Sequence, residues 1–191
     1  MLKKYAKFGG LDLAKRVDSS VLEILTLRDG VLHHTGHKIW DRVNYKTQAE
    51  DMMEIQKIER MNRIGVDRTG VGDAVLELFP HWLQKTMKQI VMTQPRKLEI
   101  IDTVHSLFNQ SKLLLHPDYS EELTTQIYEQ ERNKSEAGNI IYKHPSGGHD
   151  DQFWALGFAC YVAAPYVIGA PRPVLAVAKP DRYEPKSRYM F

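Results

Sequence analysis

Cysteine is almost missing from this chain: Cys160 is the only one in 191 residues, which excludes an intrachain disulfide and any metal centre built from thiolates. Its place inside an uncharged run predicts a buried, inert thiol in a reducing compartment. An excess of one charge is missing too. The formal net charge is +2, so no global basic signature demands nucleic acid, although a locally basic face fits inside a balanced total. No clean membrane span is present. The run from Phe153 to Ala170 carries no charged side chain, yet Gly157, Pro165 and Gly169 interrupt it and Asp150 and Asp151 abut it, a pattern of a buried core helix. No export signal is visible, because Lys3, Lys4 and Lys7 lead into Phe8-Gly-Gly-Leu and Asp12 without an apolar core, and a cytoplasmic location is expected. Internal repeats, low-complexity segments and an aromatic platform for stacking single-stranded bases are also lacking.

What is present has the length and composition of one well-cored domain, 42% hydrophobic and 26% charged, with little room for a second. The segments "KFGGLDLA" and "SSVLEILTLRDGVLHHTGHKIW" read as three strands, the last two joined at Asp29-Gly30 by a tight hairpin turn. Thr47 followed by Glu50 reads as a capping box for a helix marked by Met52, Ile55, Ile58 and Met61. "RIGVD" is a strand, "GVGDAVLELFP" a short helix that Pro80 helps to end, and "KQIVMT" a strand. A helix face follows at Leu98, Ile101, Val104 and Phe108, then the brief apolar "KLLLHP" and a polar helix from about Tyr119 to Glu131. "ERNKSEAGN" reads as a loop, "IIYKHP" as a strand and "SGGH" as a turn. Asp150 or Asp151 opens the last helix, which should end near Pro165. Residues 1–177 form the expected domain, and 178–191 an expected mobile tail.

This order implies a mixed sheet with helices on its faces. If the first long helix carries the chain across to "RIGVD", that strand lies parallel to and beside "GGLDLA", about 4.8 Å away. Asp12 and Asp67 then project from adjacent strands near the ends where open sheets of this class bind ligands. Asp12 lies between two leucines in a strand expected to be central, where an unpaired charge is costly, though a buried lysine or arginine partner would also satisfy it. Asp67 can serve equally as a turn acceptor. Helix capping explains one of Asp150 and Asp151 but not readily both. Together the set suits Mg²⁺ or Mn²⁺, whose charge would offset the mutual repulsion of the carboxylates. A pair of such ions roughly 4 Å apart serves phosphodiester cleavage.

In this order and separation, "GGLDLAKRVDSSVLEIL", "IGVDRTGVGDAVLELF" and "GGHDDQFWALGFACYVA" resemble the nuclease domain of the large terminase subunit of tailed bacteriophages and related viruses. The resemblance covers nearly the whole chain, with "LFNQSKLLLHPDYSEELTTQIYEQ" following the same layout. It implies a ribonuclease H-like α/β fold, an antiparallel meander plus parallel strands in one mixed sheet with helices on both faces. It also implies an endonuclease that cuts concatemeric viral DNA with little sequence preference, using two Mg²⁺ or Mn²⁺ ions. Asp12 matches the first-strand aspartate, Asp67 the acidic residue ending the fourth strand, and Asp150 with Asp151 the pair opening the final helix. Asp12, Asp67 and Asp151 are the implied catalytic set, with Asp150 as a further metal ligand. Asp18 is read as a turn residue, Asp73 as a favourable charge in a helix's first turn, and His149 as a turn residue within reach of metal, water or phosphate. Lys15, Arg16, Arg68, Lys143 and His144 are candidates for the DNA backbone, with solvated surface charge as the plain alternative.

The chain contains no G-x-x-x-x-G-K-[ST] phosphate loop, so the ATPase motor that accompanies such nucleases is expected elsewhere in a parent protein, docked on the portal of a procapsid in the host cytoplasm. Two other readings use the same residues. One is a Holliday-junction resolvase or transposase; the other is a DNA-binding or assembly module on the same scaffold without the chemistry.

Overall fold

Asp29 and Gly30 both take positive φ, 49° and 80°, the turn geometry that joins two strands in keeping with their own twist. The computed structural model describes residues 5–13, 19–69, 73–128, 131–134, 140–143 and 150–167. In it that turn links β2 (Ser20–Arg28) to β3 (Val31–Trp40), and β1 (Ala6–Asp12) lies antiparallel on the other side of β2. The helix α1 (Tyr45–Glu59) then crosses to β4 (Arg63–Asp67), which pairs parallel with β1 as the crossover argument requires. After the short helices α2 (Asp73–Leu76) and α3 (His81–Gln84), β5 (Met87–Ile90) extends the parallel edge. Helix α4 (Gln94–Asn109), capped by Thr93, leads to β6 (Leu113–Leu114) beside β3. The six-stranded order is β5-β4-β1-β2-β3-β6.

A 3₁₀ turn (Pro117–Tyr119) and α5 (Ser120–Tyr128) precede a small antiparallel ribbon of β7 (Glu131–Lys134) and β8 (Ile140–Lys143). Helix α6 (Asp151–Val167) closes the described chain. Both faces of the main sheet are covered. One buries Leu11, Leu22, Ile24, Ile64 and Val66 against α1, α2 and α3, and the other buries Ala6, Phe8, Leu25, Leu32 and Ile90 against α4, α5 and α6. Side chains of α6 from Gln152 to Ala164 are all buried, including Cys160, whose thiol desolvation pushes far above its ordinary titration range. No helix among the described residues is long and apolar enough to cross a membrane.

Three local expectations need correction. Asn44, not Thr47, caps α1: its side chain accepts from the Thr47 amide at 3.0 Å, so the helix starts at Tyr45. Ile58 is 76% exposed, because steps of three residues drift about 60° each around a helix of 3.6 residues per turn; the buried set is Gln48, Ala49, Met52 and Gln56. The start of "ERNKSEAGN" is a strand rather than loop, held by ladder pairing with β8 that hydropathy does not register. The last helix ends near Pro165 as expected, at Val167, with the proline in its final turn. The expected tail at 178–191 lies outside the described residues.

Candidate functional site

The last register pair between β1 and β4 is Leu11 with Val66. Asp12 and Asp67 stand one step further on, at the carboxyl ends of two adjacent parallel strands. Their shared face follows from the residues two positions earlier. A Cβ on Gly10 would come within 1.8 Å of the Ala155 carbonyl oxygen and one on Gly65 within 2.7 Å of that of Phe158. Both glycines therefore face α6, and the two-residue period of a strand turns Asp12 and Asp67 the same way. Phe8 packs on Tyr166 with ring centroids 5.0 Å apart, whereas Gly10 meets Ala155 and Ala159. The helix thus runs opposite to β1. Two strand residues advance about 6.6 Å and match roughly four helical residues, which sets the first turn of α6 beyond Gly10 on the Asp12 side.

Asp67 is partly buried, and its Oδ1 accepts from the Thr69 amide at 2.7 Å. Thr69 in turn accepts from the Met92 amide at 2.7 Å, and the Arg68 amide donates to Ile90 at 2.8 Å, so the end of β4 is tied to the end of β5. Asp150 precedes α6, takes the Trp154 amide on its backbone oxygen at 2.9 Å and accepts from the Trp154 indole at 2.7 Å. These bonds fix two carboxylates at the same end of the sheet. All four aspartates offer hard oxygen donors, the chemistry a divalent cation of the Mg²⁺ class takes. Among the described residues, however, no group of three or more His, Cys, Asp or Glu side chains is arranged to hold a metal ion. Arg68 is exposed beside Asp67, and Lys143 ends β8 opposite Glu131. Asp73 opens α2. Lys15, Arg16, Asp18, His144 and His149 lie outside the described residues.

Sequence reasoning passed over a second acidic centre on the same face. Glu23 pairs with Gly10 on one side and His37 on the other, and its side chain is fully buried. Its two carboxylate oxygens lie 2.6 Å from His34 Nε2 and 2.9 Å from His37 Nδ1. The hydrogen bond to Glu23 outweighs partial burial and raises the His37 pKa above its ordinary value, with Glu122 adding to the effect. Tyr119 stacks on His116 and His37 and meets His34 edge-on. An open cavity of about 440 Å³ lies over this group, lined by His37, Tyr119, Glu122 and Gln152 among others. A glutamate inside the apolar stretch "VLEIL" and three histidines in "HHTGH" were the available signal.

A protein-family model described as the terminase RNaseH-like domain matches residues 9–161. No curated protein matches the sequence. Among solved structures, the large terminase nuclease from thermophilic phage G20c with bound magnesium is similar with a TM-score of 0.70 and 19% identity, over 82% of this chain and 81% of that one. The same nuclease with bound cobalt gives 0.68 and 18%, over 82% and 81%. The HK97 bacteriophage large terminase gives 0.66 and 17%, over 84% of this chain but 40% of that one. At these identities the structural likeness speaks to the fold.

Proposed function

The chain belongs to the terminase RNaseH-like domain family, and from that premise we propose that it is a metal-dependent endodeoxyribonuclease that cuts concatemeric viral DNA during genome packaging. One observation carries the reading: Asp12 and Asp67 end adjacent parallel strands in step, on the face that α6 covers. Asp12, Asp67, Asp150 and Asp151 would hold two Mg²⁺ or Mn²⁺ ions, with Asp151 the more direct ligand of its pair. Bound there, the metals would supply Lewis acidity at the scissile phosphate and a water of lowered pKa. The chain's own part is positional. The Thr69 amide holds the Asp67 carboxylate, and the Trp154 indole holds that of Asp150. Arg68, and Lys15, Arg16, Lys143 and His144 with it, would meet the phosphate backbone without reading bases. An ATPase motor and a portal would be the partners in a parent protein, in the host cytoplasm.

A second reading rests on the absence, among the described residues, of a ready-made group of three metal-ligating side chains: a DNA-binding or assembly module that keeps the scaffold without the chemistry. Incubation of supercoiled plasmid with the protein separates the two. The nuclease reading expects nicking and linearisation in Mn²⁺ or Mg²⁺, none in chelator, and a loss of about a thousandfold in Asp12→Asn, about 4 kcal/mol in barrier. A preference for four-way junctions over linear duplex would turn the assignment toward a resolvase. Full activity in Asp12→Asn would overturn the site.

A further inference from the structure

The edge formed by β5, the start of α4 and α6 gathers cations that the sequence scattered. Lys88 lies over the Tyr161 ring, its ammonium 4.3 Å from the centroid. The Arg96 guanidinium sits 5.1 Å from the same centroid and donates to the Tyr161 hydroxyl, and the Lys97 ammonium is 5.2 Å from the Trp154 ring. Arg63 and Lys88 line a groove of about 390 Å³ with Met87, Val162, Pro165 and Tyr166. Among the described residues, the pair of Arg96 with Glu99 is the only ion pair that any of the four cations makes.

Two features make this excess costly in the protein alone. Arg96 and Lys97 occupy the first turn of the sixteen-residue helix α4, which has no acidic residue there, whereas the positive end of a helix dipole favours acids. Desolvation and the neighbouring Arg96 and Arg63 also hold the Lys88 pKa below its ordinary value. A helix start crowded with cations is a ready site for phosphate. Its position is equally specific. Lys88 pairs in register with Gly65, two residues before Asp67, and Lys97 covers the tryptophan whose indole bonds Asp150.

We propose that Lys97, Arg96, Lys88 and Arg63 form a track for the phosphate backbone of duplex DNA, leading away from the aspartate end along α6. The track rests on the nuclease reading and adds to it the path by which the substrate lies on the protein. Tyr161 seats Lys88 and Arg96 together and Trp154 seats Lys97, so two buried rings carry the cations at the surface. Arg68 marks the end of the path nearest the aspartates.

The test is a binding titration of the full chain, in chelator, with a fluorescent duplex of about 20 base pairs between about 50 and 200 mM salt, where each phosphate contact contributes about 0.9 to the slope of log affinity against log salt. Lys88→Glu combined with Lys97→Glu should weaken binding at least about tenfold at the low-salt end and reduce the slope by about 2. The milder Lys88→Gln with Lys97→Gln should reduce the slope by a similar amount, with thermal melting reporting that each variant is folded. Lys57→Glu, on the exposed side of α1, adds the same kind of charge away from the track and should leave affinity within about twofold. An unchanged slope in both double variants, or an equal loss in Lys57→Glu, overturns the track. If the parent still cleaves plasmid in Mn²⁺ while the slopes coincide, the nuclease reading stands without the track. If the parent neither cleaves nor binds duplex, both fall.

Discussion

Two sets of carboxylates share the α6 face of one sheet and are treated in opposite ways. Glu23 is fully buried, and the chain supplies its hydrogen-bond partners, one imidazole on each oxygen. Asp12 and Asp67 stand at strand ends, only partly buried, with an amide holding one oxygen of Asp67. The contrast teaches how to sort acids by who supplies the compensation. A carboxylate satisfied from within, at no exposure, belongs to the fold. One held in place at an accessible edge is available to something brought from outside.

That comparison breaks most sharply by removing one acid from each set. Glu23→Ala should cost about 3 kcal/mol, the low end for breaking a buried pair, because it takes the hydrogen-bond partner from both imidazoles at once. Its melting temperature should fall by about 6 to 12 °C. Asp12→Asn should melt within about 2 °C of the parent while losing cleavage, a separation measured by calorimetry beside the plasmid assay. Equal melting losses in the two variants would erase the distinction.

Divalent metal gives a smaller effect. At one hundred times its dissociation constant it should add about 2.7 kcal/mol to the native state, provided the unfolded chain does not bind it. Melting should therefore rise with Mn²⁺ and return with chelator. Asp151→Asn should gain less from metal, and its metal-free melting point should equal or exceed that of the parent, since the proposed aspartate cluster would lose one charge. A parent that ignores divalent ions, with a variant that melts well below it, would make the pair a helix cap.

The smallest effect is pH dependence at His37. Its raised folded pKa contributes stability that is fully present below the unfolded value of about 6.5 and is lost as pH rises through the folded value. Glu23 and Glu122 are the acids that favour its charged form. His37→Gln should flatten that part of the melting profile, and an unchanged profile would assign the dependence to other groups.

The difference in legibility between the two sets has a structural cause. Asp12 and Asp67 could be brought together on paper because an Asp-Gly hairpin and one crossover helix determine which strands are neighbours, and register does the rest. The Glu23 centre defeats that reasoning. His34 and His37 are three residues apart, so strict alternation sends them to opposite faces. The β2–β3 register shifts between Ile24 and Leu25, leaving Thr35 without a ladder partner, and the extra residue turns both imidazoles to one side. No hydropathy pattern announces a bulge in a strand that is neither clearly apolar nor clearly alternating. The cations of β5 and α4 were missed for a related reason: they converge through α6, more than fifty residues later in the chain.

Gly10 has a further consequence. Where it passes Ala155 and Ala159, main chain rests on main chain with no side chain between them. Side-chain contacts give a little, since rotamers can shift and a neighbouring methionine can refill the space, but atomic radii alone set this clearance. The interval between β1 and α6 is therefore a fixed gauge. Substitutions in the surrounding core can soften the protein without moving that gauge, while a single methyl group at Gly10 would act as a wedge under the helix. A displacement of about 1 Å is enough to cost a hundredfold where reacting groups must be held in place. The accuracy of the aspartate end thus depends on an atom that residue 10 does not have.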